Sequence, residues 1–195
     1  SDAANKKSHI PFIGPLYSSE NWKLFSGLLN QERKRLTSQH QDGVADLRWV
    51  APSNAFWGKN NQINSCLFDL INESKTSGKK SKTLYDFKVM VPLSGIEDRR
   101  EKNYWTHQFS SIKNNLHGYI EGYMDGDVEI VLLEDSLVAV TYYLNIPESY
   151  RVPVPIGFMS TDKGVIDSIT HSLNGYLSEF HDEDQRKSLG RWDKL

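Results

Sequence analysis

Hydrophobic residues recur along much of the chain at the three- and four-residue spacing of an amphipathic helix. Four such stripes predict helices over about residues 20–38, 63–71, 105–120 and 165–180. Thr161 or Asp162 is a suitable cap for the last helix. Gly118 and Gly122 are placed to end the third helix.

Other segments have the patterns of strands: some alternate between apolar and polar residues, and residues 128–133 and 137–144 are apolar on both faces near their middle. They predict strands over residues 47–50, 84–93, 128–133, 137–144 and 152–158. The last three form a meander with a tight turn at 134–136. Pro153 and Pro155 lack the N–H group that a ladder needs, so we expect residues 152–158 to be an edge strand. Residues 10–16 contain two prolines and are expected to form an extended arm packed on the core.

These elements predict an α+β fold built on a single layer of antiparallel or mixed sheet. We expect about five strands, helices packed mainly on one face, and a C-terminal three-strand meander followed by a helix. Residues 10–182 form the single domain, between a flexible N-terminal tail at 1–9 and a charged C-terminal tail at 183–195. Because the chain does not begin with Met, we expect it to be a piece of a longer protein.

Composition narrows the class of protein without naming a function. The 195 residues are 38% hydrophobic and 25% charged, which excludes a disordered or membrane-embedded chain. A net charge of −2 gives no global field favouring nucleic acid or anionic lipid. The single cysteine, Cys66, cannot form an internal disulfide and lies on an apolar helical stripe, so we interpret it as a core residue. We favour the interior of a cell or organelle, or the soluble part of a membrane-anchored protein.

The chain lacks the common sequence signatures of nucleotide, zinc, serine and cysteine chemistry. We therefore predict no cofactor and no metal. The densest acidic segment is Asp125-Gly126-Asp127-Val128-Glu129. We interpret it as turn chemistry leading into a strand, with Glu129 facing solvent. The alternative is that its carboxylates bind a divalent cation or act as acid and base.

The leading functional hypothesis is a non-catalytic protein-interaction or assembly domain of a larger protein. Its candidate partner-binding residues are Phe56, Trp57 and Trp49, which cluster around a proline turn. Aromatic side chains in a loop must either dock inward or meet a partner. Tyr142 and Tyr143 are further candidates for such a patch.

Two alternatives stay open. The domain is a small-ligand-binding or hydrolase-type domain with a pocket between the sheet and the helices. Or it binds an anionic surface, of nucleic acid or lipid, through a lysine-rich segment. The candidate anion-binding residues are Lys75, Lys79, Lys80 and Lys82.

Overall fold

The structure is a computed structural model of the chain. It describes residues 9–38, 43–52, 65–66, 69–70, 84–92, 116–119, 127–144 and 153–179.

A mixed sheet of seven strands forms the centre of the described fold. In spatial order its strands are β1 (His9–Ile13), β7 (Val154–Ser160), β6 (Leu137–Leu144), β5 (Val128–Leu133), β2 (Ala45–Val50), β3 (Tyr85–Pro92) and β4 (Leu116–Tyr119). Strands β2, β3 and β4 are parallel to one another. All other neighbouring strands are antiparallel.

The two described helices, α1 (Ser19–Thr37) and α2 (Lys163–Glu179), cover opposite faces of the sheet. Alternation along β6 shows this directly. Leu137 and Ala139 pack in the core that α1 completes, whereas Val138 and Val140 pack in the core that α2 completes. Because consecutive side chains of a strand point to opposite faces, a sheet covered on both sides carries apolar residues at nearly every position.

The predicted single-sheet α+β fold is confirmed, and so is the β5–β6–β7 meander followed by a helix. The expected count of about five strands was too low, and the described helices lie on both faces rather than mainly on one. Strand β1 lies in the segment expected to be an extended arm, and its Phe12 does pack on the core. Strand β4 lies where the third helix was expected, so that helix does not extend through residues 116–119.

Strand β7 is not an edge strand, because β1 pairs with it on the side away from β6. The prolines are tolerated because the β1 ladder stops at Ile13, which faces Ile156. The carbonyl of Pro155 accepts a hydrogen bond from Gly14 N at 2.9 Å, so its missing N–H group points past the end of β1. A proline at the end of a ladder removes no strand-to-strand hydrogen bond.

A polar side chain caps the start of α2, and another ties the first turn of α1 to the chain before it. Asp162 Oδ1 accepts hydrogen bonds from Gly164 N at 2.8 Å and Val165 N at 3.3 Å, which confirms Asp162 as the cap of α2. At α1, Asn21 Nδ2 donates to the carbonyls of Ile13 and Pro15. That contact ties the first turn of α1 to the end of β1.

Candidate functional site

One edge of the sheet collects the ends of its parallel strands. Val50, at the end of β2, pairs with Ile130 near the start of β5. The ends of β3 and β4 lie at the same edge, because these strands run parallel to β2. In open sheets with parallel strands, ligands bind beyond the carboxyl ends of the strands. We call this the carboxyl edge.

Glu129 lies on β5 at the carboxyl edge and is 0% exposed. The expectation that it faces solvent was wrong. Strand alternation places it on the α1 face, with Val131 and Leu133, and that face is covered by α1. A buried carboxylate is costly unless polar groups surround it, so its neighbours decide what it does.

Three hydroxyl groups surround Glu129. The Tyr143 hydroxyl donates to Glu129 Oε1 at 3.5 Å, a long contact, and is also hydrogen-bonded to Tyr17. Thr141 pairs with Glu129 across the ladder and is 0% exposed. Its hydroxyl has no hydrogen-bond partner in the part of the chain that the structure describes. We call Glu129, Tyr143, Tyr17 and Thr141 the Glu129 cluster.

Both tyrosines of the Glu129 cluster are held in their neutral form. Burial, and then the negative charge of Glu129, raise the pKa of Tyr17 from 10.0 to about 12. The hydrogen bond between Tyr17 and Tyr143 partly offsets that rise. The same two causes, followed by the proximity of Tyr17, raise the pKa of Tyr143. Both side chains therefore keep their hydroxyl protons at neutral pH and can donate hydrogen bonds.

Cys66 connects the Glu129 cluster to a neighbouring cleft. Its Sγ lies 4.0 Å from the Tyr17 carbonyl oxygen. Burial, and then the charges of Asp69 and Glu129, raise the pKa of the thiol from 9.0 to about 12. A thiol with so high a pKa is unreactive, in agreement with its predicted place in the core.

The cleft lies between α1, the helical residues around Asp69 and the beginning of β3, and it has a volume of about 470 Å³. This is the size range of small-molecule sites. Its lining combines aromatic, aliphatic and polar side chains: Trp22, Ser26, Leu29, Asn30, Asp69, Leu70 and Tyr85. We call it the α1 cleft.

Aromatic stacking holds the walls of the α1 cleft in place. The Trp22 ring stacks on buried Trp49, with centroids 6.0 Å apart and planes 20° apart. The guanidinium of Arg33 lies 5.8 Å from the centre of the Tyr85 ring. Both lining aromatics are therefore held by contacts with a neighbouring side chain, as a preformed site requires.

The chemistry of the α1 cleft is acidic and hydrogen-bonding. Asp69 is exposed and can accept hydrogen bonds, while Asn30 and Ser26 can donate or accept them. The described lining residues include no Lys, Arg or His. No group of three or more His, Cys, Asp or Glu is arranged to hold a metal ion within the described ranges.

A separate charged group lies on the α2 face, at β2 and β3. Asp46 forms ion pairs with Arg48 and Lys88, each at 3.1 Å, and Lys88 also contacts Asp86 at 3.0 Å. Burial lowers the pKa of Lys88, but hydrogen bonds to Asp86 and Asp46 raise it by more. These charges satisfy one another, so we assign them to structure.

One of the predicted partner-binding residues, Trp49, does not lie on the surface of the protein. Trp49 is 0% exposed and lies in the α1-side core, where burial of its large ring stabilises the fold. Phe56 and Trp57 lie outside the described residues. So do Lys75, Lys79, Lys80 and Lys82.

A different apolar surface does occur, on the α2 face at the carboxyl edge. Ile13, Ile156 and Tyr142 pair in one row across β1, β7 and β6, and are 81%, 37% and 44% exposed. Leu144, 42% exposed, extends the row along β6. Tyr142 was a candidate for a surface patch and is exposed, whereas Tyr143 is buried. We call Ile13, Ile156, Tyr142 and Leu144 the apolar row.

Sequence reasoning did not find the α1 cleft. Trp22 and Leu29 stood out only as members of a helical stripe, and Asp69 attracted no notice. The residues that meet in the cleft come from three distant segments, so no local motif marks it. The one usable signal was the charged Glu129 in a strand that is otherwise apolar on both faces.

No protein-family model and no curated protein matches the sequence. The chain is similar to several solved structures at low sequence identity. TrmBL2, an archaeal chromatin protein, matches with a TM-score of 0.46 and 7% identity over 92% of this chain and 55% of that one. Nuc from Salmonella typhimurium, a phospholipase D family member, matches with a TM-score of 0.50 and 10% identity over 89% and 95%. A phosphatidylserine synthase from Haemophilus influenzae matches with a TM-score of 0.46 and 17% identity over 99% and 42%.

The match to Nuc shows a shared fold over nearly the whole of both chains, at an identity too low to assign residue roles. This chain spans about half the length of TrmBL2 and less than half of the synthase. No helix within the described ranges is long and apolar enough to cross a membrane.

Proposed function

We propose that this protein is a small-ligand-binding or hydrolase-type domain whose ligand lies in the α1 cleft. The observation that carries the proposal is the cleft of about 470 Å³ between helix and sheet, which combines two aromatic side chains with three polar ones. A concave site with mostly apolar walls and a few convergent polar groups is the usual form of a small-molecule site.

The lining selects the class of ligand. Asp69 favours a cationic or hydrogen-bond-donating group, and the half-buried Trp22 ring favours a flat or aliphatic part beside it. Glu129 adds negative charge behind Cys66, since both Asp69 and Glu129 raise the pKa of that thiol. A small organic amine fits these features better than a free phosphate does.

Hydrolytic activity would require a group that can reach both substrate and water. Asp69 is the exposed carboxylate of the described lining, so we propose it as the general base. Glu129 is wholly buried and acts through its neighbours, as a positioning residue. Nuc, which shares the fold, is a phospholipase D family member, so a phosphodiester is included as a test of that likeness, although the acidic lining of the cleft disfavours an anionic substrate.

Ligand-observed NMR of the purified protein, which measures binding of each probe, tests the proposal. The probes are a small aromatic amine, its neutral alcohol analogue and a chromogenic phosphodiester. We expect saturable binding of the amine, weakened about tenfold by Asp69→Asn, the size of one lost charge-assisted contact. Asp167→Asn, an exposed acid on α2, is the matched control and should leave binding unchanged.

Saturable binding that is equal in Asp69→Asn and the native protein would contradict the assignment of the cleft. So would the absence of binding for every probe. Turnover of the phosphodiester that is lost in Asp69→Asn would instead establish the hydrolase form of the proposal.

A protein-interaction role is the second candidate, and the apolar row favours it. Three neighbouring strands present exposed apolar side chains in one row, and such contiguous patches mark interaction sites. The candidate partner-binding residues are therefore Tyr142 and Ile156 in place of the buried Trp49. Ile156→Ser with Tyr142→Ser should abolish co-purification of a partner without unfolding the domain; unchanged co-purification would argue against it.

The anionic-surface hypothesis for the lysine-rich segment stays a prediction. Binding to nucleic acid or acidic vesicles that weakens steeply with salt is its expected signature.

A further inference from the structure

The outer face of α1, which points away from the sheet, has a composition that packing within the chain does not explain. Its centre line is Glu20, Leu24, Gly27 and Gln31, spaced by four, three and four residues. This spacing is the one at which side chains form the seam between two packed helices. The buried residues of α1 lie on the opposite side: Phe25, Leu29, Glu32 and Leu36.

The outer face contains a shallow apolar groove of about 460 Å³. Leu24 is 42% exposed, and Leu28 beside it is half-buried. A lone exposed leucine is ordinary on a surface helix. Here, however, the leucine borders a depression whose floor is Gly27.

Gly27 lies in the middle of α1, where glycine is less favourable than every residue except proline. A Cβ atom added there would meet no atom of the described residues within 4 Å. Packing inside the chain therefore does not require a residue without a side chain at this position. A second helix that crosses α1 at Gly27 would require it, because interaxial distance depends on the side chains at the crossing.

The charges on the outer face of α1 are complementary to those on the same face of a second copy of the chain. Glu20 lies near the start of α1, and Lys34 lies near its end, one more step along the same seam. When two such helices pair antiparallel about a two-fold axis at Gly27, the Glu20 end of each meets the Lys34 end of the other. Lys23, on the rim, then lies opposite Gln31, so the pairing opposes no like charges along the seam.

We propose that the outer face of α1 is a self-association surface, on which α1 pairs antiparallel with α1 of a second copy of this chain. Closest approach is at the two Gly27 residues. The α1 cleft is on another side of the helix, so this inference does not depend on the proposed function.

Sedimentation velocity of the full chain, over a concentration series at low ionic strength, tests the proposal. We expect a concentration-dependent dimer that Gly27→Gln abolishes, since a long side chain blocks the crossing. Gln forms helices better than Gly, so circular dichroism should show Gly27→Gln at least as stable as the native protein.

Charge reversal provides a second, independent readout. Glu20→Lys and Lys34→Glu should each weaken dimerisation about tenfold, because each converts two symmetry-related attractions into repulsions. The double variant should restore it. Ile13→Ser, in the apolar row, is the control and should leave the dimer intact.

A native protein that stays monomeric at every concentration overturns the proposal. It is equally overturned if the dimer survives Gly27→Gln, or if Ile13→Ser dissolves the dimer while the charge reversals leave it unchanged.

Discussion

Two buried glutamates at opposite ends of the α1 layer show how differently one residue type is used. Glu32, 9% exposed, accepts hydrogen bonds from Arg35 Nε at 2.8 Å and Ser136 Oγ at 2.6 Å. Arg35 also donates to Ser136. These three side chains, the Glu32 clamp, join the end of α1 to the turn between β5 and β6. Glu129 instead lies among hydroxyl groups at the carboxyl edge, next to the α1 cleft.

The comparison teaches that burial does not by itself identify a functional acid. A carboxylate held by a guanidinium and a hydroxyl at short distance is committed to structure. A carboxylate that raises the pKa of two tyrosines and a thiol influences the chemistry of its surroundings. We therefore expect substitutions of Glu32 to change only the stability of the fold. Substitutions of Glu129 should change the pKa values of Tyr17 and Tyr143 and ligand binding in the α1 cleft.

The largest effect is expected beneath the Glu129 cluster, at Gly157. This residue pairs with both Thr141 and Phe12, and an added Cβ would collide with the Val140 carbonyl oxygen and the Phe12 ring. Gly157→Ala should lower the free energy of unfolding by about 2–4 kcal/mol, as overpacking against rigid backbone does.

Chemical denaturation measures the Gly157→Ala effect. Gly27→Ala is the matched control in dilute protein, because a Cβ at Gly27 meets no atom within 4 Å in the part of the chain that the structure describes. It should stabilise the domain by up to about 1 kcal/mol. Equal unfolding midpoints for Gly157→Ala and the native protein would refute the tight contact.

The second-largest effect is expected when the Glu32 clamp is broken. Glu32→Ala leaves the exposed Arg35 and the buried Ser136 without their carboxylate acceptor, and should cost about 2 kcal/mol of stability, mostly from the buried Ser136. Thermal unfolding measures it, with exposed Glu20→Ala on the same helix as the control, in dilute protein. Ligand binding in the α1 cleft should be unchanged; a loss of binding with intact folding would erase the distinction between the two glutamates.

The smallest expected effect is the change that a substitution at Glu129 makes to the loss of stability at alkaline pH. The pKa of Tyr17 rises from 10.0 to about 12 on folding, so the stabilisation is complete below pH 10 and is lost as the pH rises through 12. In that window the unfolded chain releases a proton that the folded chain keeps, which favours unfolding. Tyr143 acts in the same direction.

Glu129→Gln removes the charge that contributes to both tyrosine shifts, so the alkaline loss of stability should shrink. It should not vanish, because burial is the larger cause. Urea denaturation at pH values from 9 to 12 measures the change. Glu32→Gln should keep the full loss, and a profile equally altered by both variants would show that Glu129 has no special influence.

Local patterns predicted the elements whose information is local. The bounds of β5 and β6 were predicted to the residue, since two short apolar runs separated by a three-residue turn indicate a hairpin. The start of α2 followed from one capping aspartate. The candidate site was not predicted, since the α1 cleft is assembled from side chains that are distant in sequence.

The sequence by itself determined the α+β class, the meander and the two helices that the structure describes, because helical and strand periods are properties of neighbouring residues. Only the tertiary structure decided that β1 flanks β7, that residues 116–119 form a strand, and that Trp49 and Glu129 are buried. The physical reason is the same in each case. Burial and strand pairing depend on which distant segment covers a surface, and both faces of this sheet are covered by helices that the local pattern does not assign to a side.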